Sequence, residues 1–188
     1  MATVRKRVEK RDTERMSDTS FKMMTLLMRV IDLIFPYIRK RVKGFGIQEG
    51  MTVVDYGCGP GRYTTVFAEM VGENGKVYAA DIHELAIEAV KKKIEKHNLR
   101  NIEPVLVDGY NSGLPDNVAD VVCAIDMFFT VKNPTEFLAE LKRITKSDGV
   151  LVIDQGHQSR SVAKEKILGS GCWDVVEESK DHMKCRPC

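Results

Sequence analysis

The stretch VVDYGCGPGRYT, Val53 to Thr64, sets three glycines at alternate positions directly after an apolar, β-branched run that ends in an acid. An apolar run of this length reads as a buried strand, and a glycine turn that leads into an amphipathic pattern reads as the junction between strand and helix. Free backbone N–H groups and a helix N-terminus meet at such a junction, so the stretch predicts a ligand site at the carboxyl end of a sheet. Glycines there let a ligand lie against the main chain. A dinucleotide fingerprint, G-x-G-x-x-G, needs its third glycine at position 62, where Arg62 stands. The register Gly57, Gly59, Gly61 therefore argues against a nicotinamide cofactor.

Working outward, short apolar runs alternate with helical patterns. Strands are expected at residues 51–55, 75–81, 102–108, 119–126 and 149–155, and helices at 62–71, 84–97, from Pro134 onward and at 161–168. Trp173 to Ser179 and His182 to Cys188 read as a terminal hairpin. Alternating strands and helices imply an α/β fold: a mostly parallel seven-stranded sheet with a C-terminal antiparallel hairpin and helices on both faces.

The 188 residues, 43% hydrophobic and 30% charged, suit one globular domain. Five cysteines, an odd number and mostly isolated in apolar runs, argue against a disulfide scaffold and for a reducing compartment. The opening MATVRKRVEKRDTER lacks the apolar core of a secretory signal, so the cytoplasm is the expected location. His182, Cys185 and Cys188 have the spacing H-x2-C-x2-C, but no fourth ligand accompanies them and alternation in a strand turns the two cysteines to opposite faces; no metal site is expected.

Charge divides the chain at residue 43. Residues 1–43 carry 12 Lys/Arg against 5 Asp/Glu, whereas residues 44–188 carry 17 against 22. Within the basic segment, Phe21 to Ile38 is strongly apolar but interrupted by Lys22, Arg29, Asp32 and Pro36, so it does not span a bilayer. It reads as an amphipathic helix packed on the domain at 44–188, as a lid or appendage; a weak membrane-surface contact through residues 21–43 and a homodimer face are the other readings. The run RKRVK, Arg39 to Lys43, reads as a solvated helix end, and no nucleic-acid partner is expected.

VVDYGCGPG, AADIHELAIEAVKKK, VLVDGYNSGLPD, VADVVCAIDMFFTV and LKRITKSDGVLVIDQG, in this order, resemble successive motifs of the class I S-adenosylmethionine-dependent methyltransferases, in particular the small-molecule, quinone-biosynthesis-like group. The resemblance covers residue 50 to the C-terminus and implies a Rossmann-like fold. It implies S-adenosylmethionine as cofactor, seated on Gly57, Cys58, Gly59 and Gly61, with Asp55 near its ammonium group. Asp81 would accept from the ribose hydroxyls, Ile82 would pack on the adenine, and Asp108 would accept from the adenine amino group beside Gly109 and Tyr110. Asp126 and Met127 would face the methionine part. Each acid also suits a turn cap at a strand end.

The implied chemistry is in-line methyl transfer to a small-molecule acceptor, with positioning as the main source of rate. Asp126 and His157 are the candidate catalytic residues, and Asp154 is a further acid at the same end of the sheet. Met23, Met24, Met28, Leu26, Leu27, Ile34, Phe35 and Tyr37 suggest an apolar or aromatic acceptor. Two alternatives are a protein or nucleic-acid methyltransferase that uses the basic N-terminus as a docking arm, and a non-catalytic cofactor-binding scaffold. The sequence Asp126-Met127-Phe128-Phe129 after the fourth strand lacks the N-P-P-Y-like motif of exocyclic-amine methylation.

Overall fold

A computed structural model describes residues 14–34 and 37–188. The expectations for residues 1–13, Phe35 and Pro36, and for the side chain of Ile34, lie outside the described residues. The elements run α1 (Asp18–Ile34), α2 (Ile38–Val42), a 3-10 turn (Lys43–Phe45), β1 (Thr52–Tyr56), α3 (Thr64–Val71), β2 (Lys76–Asp81), α4 (Glu84–His97) and β3 (Ile102–Leu106). There follow β4 (Ala119–Ala124), a 3-10 turn (Phe128–Thr130), α5 (Pro134–Ile144), β5 (Thr145–Ile153), α6 (Arg160–Gly169), β6 (Trp173–Glu178) and β7 (Met183–Pro187).

The seven strands lie in the order β3-β2-β1-β4-β5-β7-β6. β1 to β5 pair in parallel, while β7 runs antiparallel to both β5 and β6. The parallel strands are nearly continuous apolar runs because both faces are covered, and two buried clusters result. One places Phe137, Leu138, Leu141, Ile167 and Trp173 against Val54, Val122 and Leu151. The other places Phe45, Phe67, Val71 and Val90 against Val53, Val77 and Val121. Trp173 donates its indole N–H to the carbonyl of Leu138 at 3.0 Å, so the one polar atom of this buried side chain is satisfied inside the core.

Local chemistry sets the helix starts. His83 caps α4 by accepting the Leu85 N–H on Nδ1 at 3.2 Å, Asn133 caps α5 with Pro134 in its first turn, and Ser159 caps α6. Several expected boundaries move: β4 ends at Ala124 and β5 runs from Thr145 to Ile153, against 119–126 and 149–155 expected, and two further shifts have a local cause. α3 begins at Thr64 because the glycine turn continues through Arg62 and Tyr63. β3 stops at Leu106, two residues short of Asp108, because Asp108 and Asn111 exchange backbone N–H···O bonds of 3.0 Å that close a separate turn. Cys185 is buried on β7, whereas Cys188 lies past the end of the strand and is exposed, so the two do not face a common site. β1 has β2 on one side and β4 on the other, so chain order reverses there. The crevice beyond the carboxyl ends of β1 and β4 is the place where open α/β sheets take ligands.

Candidate active site

A cavity of about 210 Å³ opens at this reversal point. Its floor is the turn Tyr56 to Pro60 and the segment Ile125 to Met127; Asp81 to His83 and Gly109 to Tyr110 form one wall. Two glycines of the turn act differently. A Cβ on Gly57 (φ +80°) would meet the Met127 side chain at 2.8 Å, so this position keeps the turn against the end of β4. Gly61 does not line the cavity; a Cβ there would meet Val90 Cγ2 at 3.0 Å, and it is the contact that lets α4 lie on the turn. Cys58 lines the turn with its thiol buried in the core, and burial pushes that thiol well above its ordinary pKa, which makes it a packing residue.

The three strand-end acids part company. Asp81 lines the cavity; its Oδ2 accepts the Gly59 N–H and its Oδ1 the His83 N–H, both at 2.8 Å. Each carboxylate oxygen keeps a further lone-pair direction, so the group can still receive two hydroxyls. Asp55 is not in the lining. It is 3% exposed and accepts the Thr64 hydroxyl at 2.5 Å, so it ties β1 to the first turn of α3. Burial pushes its pKa up to about 7, against the opposing hydrogen bond from Thr64. Asp108 also stands outside the lining, carried off by its turn with Asn111, while Gly109 and Tyr110 reach the wall.

Asp126 lies in the floor and holds a left-handed backbone, φ 60°. Its carboxylate is held by a buried cation that the sequence reading placed in solvent. Arg41, on α2, donates to Asp126 Oδ1 (2.9 Å), Asp154 Oδ2 (2.5 Å) and the Tyr63 hydroxyl (2.6 Å). Its side chain is 11% exposed. Tyr63 donates to Asp126 Oδ2 at 3.0 Å, and Asp154 Oδ1 accepts the Asp126 N–H at 3.1 Å. Burial would raise the pKa of Asp126, but the charge and bonds of Arg41 outweigh it and hold the carboxyl below its ordinary value. Asp154 goes the other way: burial first, then the neighbouring Asp126 charge, push it to about 6 despite Arg41. Asp126 thus meets the cavity as a held carboxylate, weak as a base. His157, the other catalytic candidate, is exposed, lies outside the lining and sets its ring edge-on to Phe129 at 4.7 Å.

The open side is closed by the N-terminal helix. Phe21, Met24 and Met28 of α1 and Glu14 to Met16 ahead of it complete the lining. The helix is pinned at three places. The Glu14 carboxylate accepts the Tyr110 hydroxyl and, at 2.9 Å, the Lys132 N–H. Arg15 joins Glu84 (2.8 Å) to Asp18 (2.6 Å) beside the Phe21 ring, which stacks on His83 at 4.4 Å. Asp32 takes the Arg62 guanidinium with contacts of 2.8 and 2.5 Å. Met23, Leu26 and Leu27, read as pocket residues from the sequence, point outward instead. Sequence reasoning missed Arg41, Tyr63, Phe21, Glu14 and Arg15. For Arg41 a signal existed, since Ile38, Arg41 and Val42 fall at i, i+3 and i+4 on one helical face.

Residues 47–185 match the family model described as a methyltransferase domain. A ubiquinone/menaquinone biosynthesis C-methyltransferase of Escherichia fergusonii is 34% identical over 112 residues, covering 57% of this chain and 43% of that protein. A tRNA (adenine(58)-N(1))-methyltransferase catalytic subunit of Yarrowia lipolytica is 32% identical over 140 residues, covering 74% and 32% respectively. The chain thus spans less than half the length of these curated relatives. The crystal structure of an S-adenosylmethionine-dependent methyltransferase from Aquifex aeolicus superposes with a TM-score of 0.75 at 29% identity, covering 92% of this chain and 98% of that one.

Two predictions follow from the buried charges. The Asp55 carboxyl titrates near 7 in the folded state and near its ordinary 3.8 when unfolded, so it adds stability below pH 4 that is lost as pH rises towards 7. The unfolding free energy of the wild type relative to Asp55→Asn, from urea melts, is expected to fall by up to about 1.4 kcal/mol per pH unit between those values. A pH-independent difference would contradict the assignment. Arg41→Gln leaves Asp126 and Asp154 facing each other; because Asp126 is 38% exposed, the loss is expected at about 2–3 kcal/mol. Adding Asp154→Asn is expected to restore about half of it, and a double variant no more stable than Arg41→Gln would overturn the reading.

Proposed function

The chain belongs to the class I S-adenosylmethionine-dependent methyltransferases, and we propose that it transfers the methyl group to a small apolar or aromatic acceptor held under α1. Its cofactor is S-adenosylmethionine. The described residues fit that group. The Asp81 carboxylate has acceptor capacity for a diol, the glycine turn presents main chain to the cavity, and the lining brings Asp81 and Asp126 together with the Tyr56, Tyr63 and Phe129 rings, which suits a molecule carrying ammonium and sulfonium charge.

When bound, the cofactor supplies an electrophilic methyl on a positive sulfur, open to in-line displacement. The chain's own part is binding, orientation and exclusion of water. In this reading the turn Gly57 to Pro60 lies along the amino-acid end, Asp81 holds the ribose hydroxyls, Ile82 covers the adenine and Asp126 with Met127 borders the methyl. Arg41 and Tyr63 keep the Asp126 carboxylate ionised and fixed, so it stabilises positive charge at the cavity floor and does not take up protons near neutrality. Asp126, the lining acid beside Met127, is held ionised and is a weak base, which favours an acceptor that is nucleophilic once oriented, such as an ionised phenol or enol.

The observation that carries the acceptor class is the inner face of α1: Phe21, Met24 and Met28 close the cavity with apolar surface. The relative named as a quinone-biosynthesis C-methyltransferase supports an aromatic acceptor, and the tRNA-methylating relative supplies the competing class. The test is label transfer from methyl-labelled cofactor to a panel of hydroxylated aromatic compounds and to bulk tRNA, for wild type and Met24→Lys. Transfer to an aromatic member, reduced at least about tenfold in Met24→Lys while cofactor binding persists, is expected. Transfer to tRNA alone would contradict the proposal.

A further inference from the structure

The face of α1 that points away from the cavity is apolar as well. Met23, Leu26, Leu27 and Val30 are 68%, 63%, 59% and 48% exposed, and their spacing of i, i+3, i+4 and i+7 makes one continuous stripe about two turns long. Single exposed apolar residues are ordinary, but a contiguous stripe marks an interaction surface.

Charge on the same segment is sorted by side. Two of the three acids of residues 14–34 turn inward, Glu14 to the Tyr110 hydroxyl and the Lys132 N–H and Asp32 to Arg62, while the third, Asp18, is exposed and already paired with Arg15. The two remaining cations, Lys22 and Arg29, share one flank of the stripe, are exposed, and pair with no acid among the described residues. Lys40 and Lys43 beyond the helix are exposed as well. The sequence ahead of residue 14 adds five Lys/Arg against two acids.

We propose that the outward face of α1 docks on an anionic lipid surface. An apolar stripe with cations along its edge matches the boundary between acyl chains and negatively charged headgroups: Met23, Leu26, Leu27 and Val30 enter, and Lys22 and Arg29 extend their amines to phosphate. A second copy of the chain fits less well, because the helix offers Lys22 and Arg29 against one exposed acid, Asp18, which Arg15 already holds, so self-pairing would bring more cations than free carboxylates to the seam. The helix lies in the interface plane, since no described helix is long and apolar enough to cross a membrane. Its inner face would then open the cavity beside the bilayer. The docking proposal holds whatever the acceptor is.

The test is co-sedimentation of the full chain with vesicles of phosphatidylcholine alone and of phosphatidylcholine with phosphatidylglycerol, at low and high salt. The comparison variants are Leu26→Gln/Leu27→Gln and Lys22→Glu/Arg29→Glu, with far-UV circular dichroism and cofactor binding as controls for folding. Binding to the anionic vesicles, weakened by salt and reduced at least about fivefold by either pair of substitutions with both controls unchanged, is expected. The proposal fails if the wild type does not sediment with anionic vesicles, or if both variants sediment as the wild type does. It fails equally if light scattering shows a dimer that Leu26→Gln/Leu27→Gln dissolves while vesicles are not bound.

Discussion

Asp81 accepts the N–H groups of Gly59 and His83 on separate oxygens, and so ties the turn after β1 to the turn after β2. Much of the site depends on that tie. It holds the glycine turn open towards the cavity and fixes His83 where its ring caps α4 and packs on Phe21 of α1. Burial raises the pKa of Asp81, and the two backbone donors oppose that shift, which is how a carboxylate can be kept at the wall of a mostly apolar cavity. The same group therefore shapes the apo site and presents lone pairs to a ligand.

Arg41 performs the corresponding task on the other side of the crevice. It gathers Asp126 at the end of β4, Asp154 at the end of β5 and the carbonyl of Asp181 between β6 and β7, the last at 3.2 Å. A buried cation with two close carboxylates is a poor source of net stability, because desolvation offsets most of the attraction. What it provides is position. Asp126 keeps a left-handed backbone that a residue with a Cβ seldom adopts, and its carboxylate faces the cavity in one protonation state. Because Arg41 sits on α2, the element after α1, it ties the N-terminal segment to the cavity floor.

The sheet was legible because its signal is periodic and local. The expected helix at 84–97 matches α4 end to end, and the ordered series of motifs, more than the glycine register alone, carries the cofactor class. The site was legible only in part, because side-chain direction depends on where a strand ends and on tertiary partners. Asp55, Asp81 and Asp108 look alike in the sequence, yet one ties β1 to α3, one lines the cavity and one is removed by a turn with Asn111. Arg41 was misread because a run of basic residues suggests solvent, and its acid partners lie 85 and 113 positions away. On α1 the apolar residues were recognised, but the sequence pattern could not show that they divide between a cavity-facing side and an exposed one.

The central claim is that Asp81 holds the cofactor in the crevice between β1 and β4. Isothermal titration of S-adenosylmethionine and its demethylated product into wild type, Asp81→Asn and Asp81→Ala tests it most directly, with thermal melts to establish that each variant is folded. The account predicts binding of both ligands by the wild type and a loss of at least about thirtyfold in folded Asp81→Asn, the scale of about 2 kcal/mol for hydrogen bonds to a charged acceptor. Equal affinity in wild type and folded variants, or a wild type that binds neither ligand, would contradict it.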